Sequence, residues 1–117
     1  MGFLTNVLGE AVPTIRVSEL NEKLATRNQL YLLDVRQPEE FRLGHIAGAE
    51  LIPLGELGSR LNEVPQDREV VCICATGHRS VPAARKLIAA GYAANSLAHG
   101  MIAWQLAKFP IQKGRLA

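Results

Sequence analysis

The sequence predicts a single α/β domain, with a mostly parallel sheet of four or five strands flanked by helices on both faces. Continuous apolar runs at residues 30–35 and 70–73 are typical of central parallel strands, which are covered on both faces. Amphipathic stretches alternate with these runs, as they do in successive β–α units. The 117 residues suit one domain with one core, and no repeat or linker divides them. We expect the domain to span residues 14–110, between a lead-in of residues 1–13 and a tail of residues 111–117.

Strands and helices are expected to alternate along the whole chain. Short apolar segments bounded by turn residues predict the strands, which we place at residues 15–17, 30–35, 50–52, 69–73 and 95–98. Ser18 is expected to cap a first helix that ends at residue 25, and Pro38 fits the first turn of a second helix. Further helices are expected at residues 54–61, 79–91 and 101–106. In the longest of these, Pro82 lies in the first turn and Gly91 is expected to end the helix.

Composition and charge exclude several classes of protein. The net charge of +2 and the 5% of aromatic residues do not indicate a nucleic-acid-binding surface. No apolar run approaches the length of a membrane span, and the first residues lack the basic start of a secretory signal. Cys72 and Cys74 are too close in sequence to build a disulfide framework, and the pair suits either a reducing compartment or a redox-active role. We therefore expect a cytoplasmic protein that contacts neither membranes nor nucleic acid.

A candidate reactive cysteine, Cys74, lies where a predicted strand turns into a predicted helix. The turn continues as Ala75, Thr76, Gly77, His78, Arg79 and Ser80. In such a turn the cysteine faces the backbone N–H groups of the loop and the positive end of the helix dipole, and both favour an anion. Arg79 adds a fixed positive charge with several hydrogen-bond donors. These groups lower the pKa of a thiol, so the sequence predicts a nucleophilic thiolate near neutral pH.

Four separated stretches of the sequence resemble the single-domain rhodanese-like sulfurtransferases, which carry the rhodanese homology domain. The first is Leu32-Leu33-Asp34-Val35-Arg36 with Glu39-Glu40-Phe41, and the second is Gly44-His45-Ile46-Ala47-Gly48-Ala49 followed by Ile52-Pro53. The third is the loop from Cys74 to Ser80, and the fourth is Gly100 with Ala103-Trp104. Together they cover about residues 14–107. Their common order makes the resemblance far more specific than a lone Cys-x-x-Gly-x-Arg pattern.

The resemblance implies a relay of sulfur through a persulfide. Cys74 would take the outer sulfur of a donor such as thiosulfate, and an acceptor such as cyanide, a small thiol or a partner protein's cysteine would remove it. Asp34 and Arg36 would support this side of the sheet, in an ion-pair network with Glu40. The implied partners are a small sulfur-containing anion or thiol, or a sulfur-donor or sulfur-acceptor protein, and no metal or organic cofactor would be needed. The loop would bind substrate through Ala75, Thr76, Gly77, His78, Arg79 and Ser80.

Two positions depart from the family pattern. Many members have Arg or Lys directly after the cysteine, where this chain has Ala75, and this removes a contact for a dianion such as thiosulfate. Many also have a pair of glycines where this chain has His99 and Gly100, so His99 is either an imidazole near the pocket rim or a tolerated surface residue. The first departure counts more against thiosulfate as the donor than against sulfur transfer itself.

Other interpretations of the cysteine loop stay open at this point. A cysteine phosphatase or arsenate reductase uses a similar loop with five residues between Cys and Arg, whereas four separate Cys74 from Arg79. A non-catalytic binding module with the same fold would be expected to have lost the cysteine. Cys72, Cys74 and His78 are too few for a zinc site and lack its usual paired spacing. Three further side chains are expected to be structural: Cys72, His45 and Trp104.

Overall fold

The computed structural model describes residues 12–26 and 29–114 of the chain. Over these residues it has five strands, β1 (Thr14–Ile15), β2 (Leu30–Asp34), β3 (Glu50–Leu51), β4 (Glu69–Ile73) and β5 (Ala94–Leu97). The same residues form α1 (Val17–Ala25), α2 (Pro38–Leu43), α3 (Leu54–Leu57), α4 (Ser80–Ala89) and α5 (Gly100–Leu106), with a 3-10 helix at Leu61–Glu63. No helix in these two segments is long and apolar enough to span a membrane.

The five strands form one parallel sheet in the order β1-β5-β4-β2-β3, which confirms the predicted α/β fold. The central strands β2 and β4 are in register, with Leu32 opposite Val71 and Asp34 opposite Ile73. Because neighbouring parallel strands end at the same edge of a sheet, this register places Asp34 beside the carboxyl end of β4. Cys74 directly follows that end, so it lies at the same edge of the sheet as Asp34.

The core consists of two layers, one on each face of the sheet. Successive side chains of a strand point to opposite faces, so Val70 and Cys72 of β4 pack in one layer and Val71 and Ile73 in the other. Helix α4 packs into the first layer, and α1 and α5 pack into the second. Cys74 continues the alternation and belongs to the first layer, which is the side of the sheet that α4 covers.

The structure corrects the predicted start of the first helix. Strand β1 is confined to Thr14–Ile15, and α1 already begins at Val17. The residue before the helix is Arg16, whose backbone N–H donates to the Glu19 carboxylate at 3.0 Å. This bond satisfies an N–H group that has no partner within the helix, so the predicted Ser18 cap is wrong.

Two later helices also differ from their predicted bounds. The helix expected at residues 54–61 divides into α3 and the 3-10 helix, because Gly55 and Gly58 are weak helix formers. Helix α4 begins and ends slightly inside the predicted range of residues 79–91. Gly91 follows its end with a φ of 95°, which agrees with its prediction as the residue that ends the helix.

The described residues include little of the predicted lead-in but more than half of the predicted tail. Most of the predicted lead-in of residues 1–13 lies outside the described residues. At the other end, Gln112 pairs with His45 in an isolated antiparallel bridge, and Ile111 packs against the core. The predicted limits of the domain at residues 14 and 110 stay a prediction.

Candidate active site

The loop after β4 folds back around the side chain of Cys74. Residues 74–79 connect the end of a central strand to the start of α4. Cys74 and Ser80, at the two ends of this loop, are each 0% exposed, whereas Thr76 and His78 between them are exposed. The thiol therefore lies at the base of the loop, on its buried side.

Three hydrogen-bonding groups converge on Cys74 Sγ. The backbone N–H of Gly77 donates to this sulfur atom at 3.1 Å, and the N–H of Ser80 donates at 3.3 Å. The hydroxyl oxygen of Ser80 lies 3.4 Å from the same atom. Because the N–H of Ser80 is the first in α4, its bond also places the sulfur at the positive end of the helix dipole. This is the environment that the sequence predicts for Cys74.

Gly77 allows the loop to close around the sulfur. Its φ is 96°, in the left-handed region that favours glycine. A Cβ atom at this position would lie 2.9 Å from the backbone nitrogen of His99, so a side chain would push the loop away from α5. Glycine therefore permits both the turn and the close contact that direct the Gly77 N–H group at Cys74 Sγ.

The first turn of α5 holds the other end of the loop. The N–H of Met101 donates to the Cys74 carbonyl oxygen at 2.9 Å, and the N–H of Ile102 donates to the Ala75 carbonyl oxygen at 3.0 Å. Gly100 has a φ of 54°, and a Cβ atom there would collide with the Cys74 carbonyl oxygen and lie 2.7 Å from the Ala75 carbonyl carbon. Helix α5 thus packs directly on the backbone of the loop, and Gly100 makes that packing possible.

Burial and hydrogen bonding act in opposite directions on the pKa of Cys74. Burial raises the pKa of this thiol, but hydrogen bonds from the Ser80 hydroxyl and from the N–H groups of Ser80, Gly77 and Thr76 lower it by more. The resulting pKa of Cys74 lies below its usual value. Burial raises the pKa of Cys72 to about 12, with the neighbouring Cys74 as a further cause. Of the two cysteines, Cys74 is therefore the one whose thiol loses its proton more readily.

The guanidinium group of Arg79 is bound by a carboxylate. Its two Nη atoms donate to the two carboxylate oxygens of Glu40, each at 2.8 Å. Hydrogen bonding from Arg79 lowers the pKa of Glu40 to about 2, although burial acts in the opposite direction. Glu40 is thus ionised at neutral pH and offsets the positive charge that the sequence predicts at the loop. Both side chains are about a third exposed, at 37% for Arg79 and 34% for Glu40, so solvent also screens this pair.

Asp34 and Arg36 form a separate buried ion pair at the same edge of the sheet. Arg36 Nε and Nη2 donate to the Asp34 carboxylate at 2.9 and 2.8 Å, and Nη2 also donates to the Gly44 carbonyl oxygen at 2.8 Å. The pair ties the end of β2 to the turn after α2. Glu40 is hydrogen-bonded to Arg79 and interacts with Arg36 only through charge, so the predicted ion-pair network lacks a direct bond between Arg36 and Glu40.

The remaining residues predicted for the loop lie on its outer side. Thr76 Oγ1 and His78 Nδ1 are 2.9 Å apart and form a hydrogen bond between two exposed residues. Ala75 is half-buried and provides no polar side-chain group. His99 is exposed just before α5, and its backbone lies against Gly77. These positions place two imidazoles, His78 and His99, on or beside the loop.

The three side chains that we predict to be structural are all buried. His45 Nδ1 is 2.7 Å from the Phe41 carbonyl oxygen, and the two rings stack with centroids 3.7 Å apart. Trp104 is 1% exposed and donates from Nε1 to the Pro110 carbonyl oxygen at 2.8 Å. Cys72 is 0% exposed within the core. Within residues 12–26 and 29–114, no three His, Cys, Asp or Glu side chains are grouped to hold a metal ion.

Ser96 is a neighbour of the site that the sequence does not reveal. Ser96 belongs to β5, is 1% exposed, and its Oγ lies 2.7 Å from Ser80 Oγ. The sequence offers one weak signal, which is a small hydroxyl residue within a predicted strand. A buried hydroxyl needs a hydrogen-bond partner, but the sequence alone does not show which residue across the sheet provides it.

One known family matches the part of the chain that contains both the sheet and the Cys74 loop. The rhodanese-like domain family matches residues 16–107, a range that includes all the residues described above around Cys74. The chain belongs to this family. The resemblance of the four sequence stretches is thereby confirmed, and the five-stranded parallel sheet is the sheet of a rhodanese-like domain.

Individual relatives of this rhodanese-like domain differ in length. A sulfurtransferase from Allochromatium vinosum is 36% identical over 101 residues, which are 86% of this chain and 94% of that protein. The crystal structure of a rhodanese-related protein from Thermoplasma volcanium superposes with a TM-score of 0.80 at 29% identity, over 86% of this chain and 97% of that chain. The HTH-type transcriptional regulator Rv0324 of Mycobacterium tuberculosis is 36% identical over 111 residues, 93% of this chain but 49% of that protein. The chain thus spans less than half the length of several curated relatives that it matches.

Proposed function

We propose that this rhodanese-like domain is a sulfurtransferase that moves sulfane sulfur from a donor to a thiophilic acceptor through a persulfide on Cys74. The observation that carries the proposal is the convergence of the Gly77 N–H, the Ser80 N–H and the Ser80 hydroxyl on Cys74 Sγ. Membership of the family and a relative named as a sulfurtransferase support this chemistry.

The proposed reaction has two displacement steps at sulfur. In the first, the Cys74 thiolate attacks the outer sulfur of the donor, and the donor's S–S bond breaks with its electron pair on the leaving group. The leaving group is sulfite when the donor is thiosulfate, and a thiolate when the donor is a persulfide. In the second step, cyanide or an acceptor thiolate attacks the outer sulfur of Cys74–S–S⁻, so that the Cys74 thiolate is regenerated.

The loop supplies fixed hydrogen-bond donors for both anionic states of Cys74. The N–H groups of Gly77 and Ser80 point at the sulfur before any substrate is present, so no reorganisation is needed when negative charge develops there. The Ser80 hydroxyl adds a donor that can rotate between the thiolate and the longer persulfide. Cys74 is 0% exposed, so atoms of the outer loop have to move aside before a donor can reach its sulfur.

The charges around the loop favour a persulfide donor over thiosulfate. Arg79 is the single Lys or Arg of the loop, and its guanidinium is occupied by Glu40. Ala75 adds no charge at the position after the cysteine. A dianion would therefore find no unpaired Lys or Arg within residues 74–80 to balance its charge, whereas a persulfide of a thiol or of a partner protein's cysteine carries less charge.

Ala75→Arg is expected to accelerate sulfur loading from thiosulfate selectively. One added, partly exposed cation is worth up to about 1 kcal/mol with an anion, so we expect a roughly fivefold higher second-order rate constant. The rate of loading from cysteine persulfide should stay within about twofold, since its carboxylate is balanced by its ammonium group. The measurement is the mass of the intact chain after quenching at successive times. Ala75→Gln, which adds length without charge, is the control, and an equal gain in both variants would contradict the charge argument.

Two other functions have less support. A cysteine phosphatase would have to hold a tetrahedral phosphoryl group in a loop that is one residue shorter than phosphatase loops, which favours a single sulfur atom instead. A non-catalytic binding module would not need two N–H donors and a hydroxyl group directed at a buried thiol. Both cysteines are free thiols in the structure, which fits the proposal of a reducing, cytoplasmic location.

A further inference from the structure

Ser80 and Ser96 form a buried pair of hydroxyl groups behind the sulfur of Cys74. Ser80 Oγ lies 3.4 Å from Cys74 Sγ and 2.7 Å from Ser96 Oγ. Ser80 is 0% exposed and Ser96 is 1% exposed. Because Ser80 begins α4 and Ser96 belongs to β5, the fold of the whole domain, and not the loop alone, brings this pair together.

Hydrogen-bond satisfaction determines the direction of the proton in each hydroxyl. Each serine hydroxyl has one proton to donate, and a buried donor without an acceptor is costly. Within the described part of the chain, the side-chain hydrogen bond of Ser96 Oγ is the one to Ser80 Oγ. Either hydroxyl can donate in this bond, but a Cys74 thiolate can only accept, so in that state Ser80 donates to the sulfur and accepts from Ser96. In the thiol state Cys74 Sγ instead donates to Ser80 Oγ, at 3.4 Å.

We propose that Ser96 is a positioning residue, which donates a hydrogen bond to Ser80 Oγ and thereby directs the Ser80 hydroxyl proton at Cys74 Sγ. The role rests on the proposed function, because it concerns the same nucleophile. Ser96 contacts no reacting atom and acts through Ser80. The chain of two hydroxyls favours the anionic sulfur, because a thiol and two hydroxyls have three protons for the two hydrogen bonds between them, and one buried hydroxyl proton is then left without an acceptor.

The charged and titratable groups around Cys74 are unchanged by substitutions in this pair. One of these groups is Cys72, which lies on β4 two residues before Cys74. Another is Arg79 in the loop, which interacts electrostatically with both Cys74 and Asp34. The others are Arg36 after β2, Glu40 on α2, His78 in the loop and His99 before α5. A change in the titration of Cys74 on substitution of Ser96 is therefore attributable to the hydroxyl pair.

The test is the pH dependence of Cys74 alkylation by iodoacetamide, with the labelled cysteine assigned by peptide mass. Ser96→Ala is expected to raise the midpoint of the alkylation profile by roughly half a unit, and Ser80→Ala by roughly one unit. Because Ser96 acts through Ser80, the double variant should have the same midpoint as Ser80→Ala alone. Ser96→Thr keeps the hydroxyl and should keep the wild-type midpoint, even if the added methyl group lowers the thermal unfolding temperature.

An unchanged or lowered midpoint in Ser96→Ala, or fully additive shifts in the double variant, would overturn the proposal. If the alkylation midpoint of Ser96→Thr shifts as far as that of Ser96→Ala, the shift reflects lost stability and not the lost hydroxyl, and the proposal is overturned as well. The assay uses no sulfur donor, so its result is independent of sulfur transfer. A shifted midpoint in a protein that never accepts sulfur would sustain the role of Ser96 and refute the proposed function.

Discussion

Replacement of Cys74 by serine is expected to abolish sulfur transfer while the fold is retained. Serine can accept the same hydrogen bonds from Gly77 and Ser80, but its hydroxyl stays protonated near neutral pH and is a far poorer nucleophile than a thiolate. We expect kcat/KM to fall by at least about 10³-fold, the scale seen when an enzyme loses its nucleophile. Thiocyanate formation from thiosulfate and cyanide measures the loss, and a thermal unfolding curve shows whether the variant is folded.

Cys72 provides the matched control for this substitution. It lies two residues earlier in the same core layer, is 0% exposed, and burial raises its pKa to about 12. Cys72→Ser is expected to keep most of the activity, although a hydroxyl in this apolar layer costs stability, about 1–3 kcal/mol. If Cys72→Ser loses activity with its fold intact, the structural role of Cys72 is wrong. If Cys74→Ser keeps activity, the role of Cys74 is wrong.

Gly100→Ala is expected to have the largest effect among substitutions that remove no reacting group. The new Cβ atom would collide with the Cys74 carbonyl oxygen and lie 2.7 Å from the Ala75 carbonyl carbon, both of them backbone atoms that cannot rotate away. Overpacking costs about 1–3 kcal/mol, and the left-handed backbone adds about 1–2 kcal/mol for a residue with a side chain. We expect the free energy of unfolding to fall by about 2–5 kcal/mol, measured by urea denaturation.

The same substitution should also damage the site in the molecules that remain folded. Relief of the collision requires α5 to move away from the loop, which breaks the Met101 and Ile102 hydrogen bonds to the loop carbonyls. Gly91→Ala is the control, because Gly91 also has a positive φ, 95°, but a Cβ atom there would have no neighbour within 4 Å. That variant should lose about 1 kcal/mol of stability and keep its activity. Equal losses in the two variants would mean that the contact with the loop is unimportant.

The fold and the position of Cys74 are predictable from the sequence because they depend on local patterns. The apolar runs of β2 and β4 identify the central strands, and the glycine-containing turn after β4 marks the start of α4. Cys74 is recognised by its place between these two elements. The signals are strong because a parallel strand, a tight turn and a helix start each restrict the residue types that they accept.

The partners of the polar side chains could not be predicted in the same way. Glu40 pairs with Arg79, 39 residues later in the chain, whereas the sequence suggests that its partner is the nearby Arg36. Ser96 approaches Ser80 from another strand, and only the arrangement of β4 and β5 beside α4 makes this contact. The start of α1 shows a local limit too, since Ser18 and Glu19 offer competing ways to cap a helix. Contacts between distant segments depend on geometry to within an ångström, which a sequence pattern does not specify.

Whether Cys74 carries sulfur can be measured as a change in the intact mass of the chain. The wild-type protein and Cys74→Ser would be incubated with thiosulfate, and separately with cysteine persulfide, and each product would then be treated with cyanide. We expect the wild-type chain alone to gain the mass of one sulfur atom, with cysteine persulfide as the faster donor, and cyanide to remove that atom as thiocyanate. No gain from either donor, or the same gain on Cys74→Ser, would contradict this expectation.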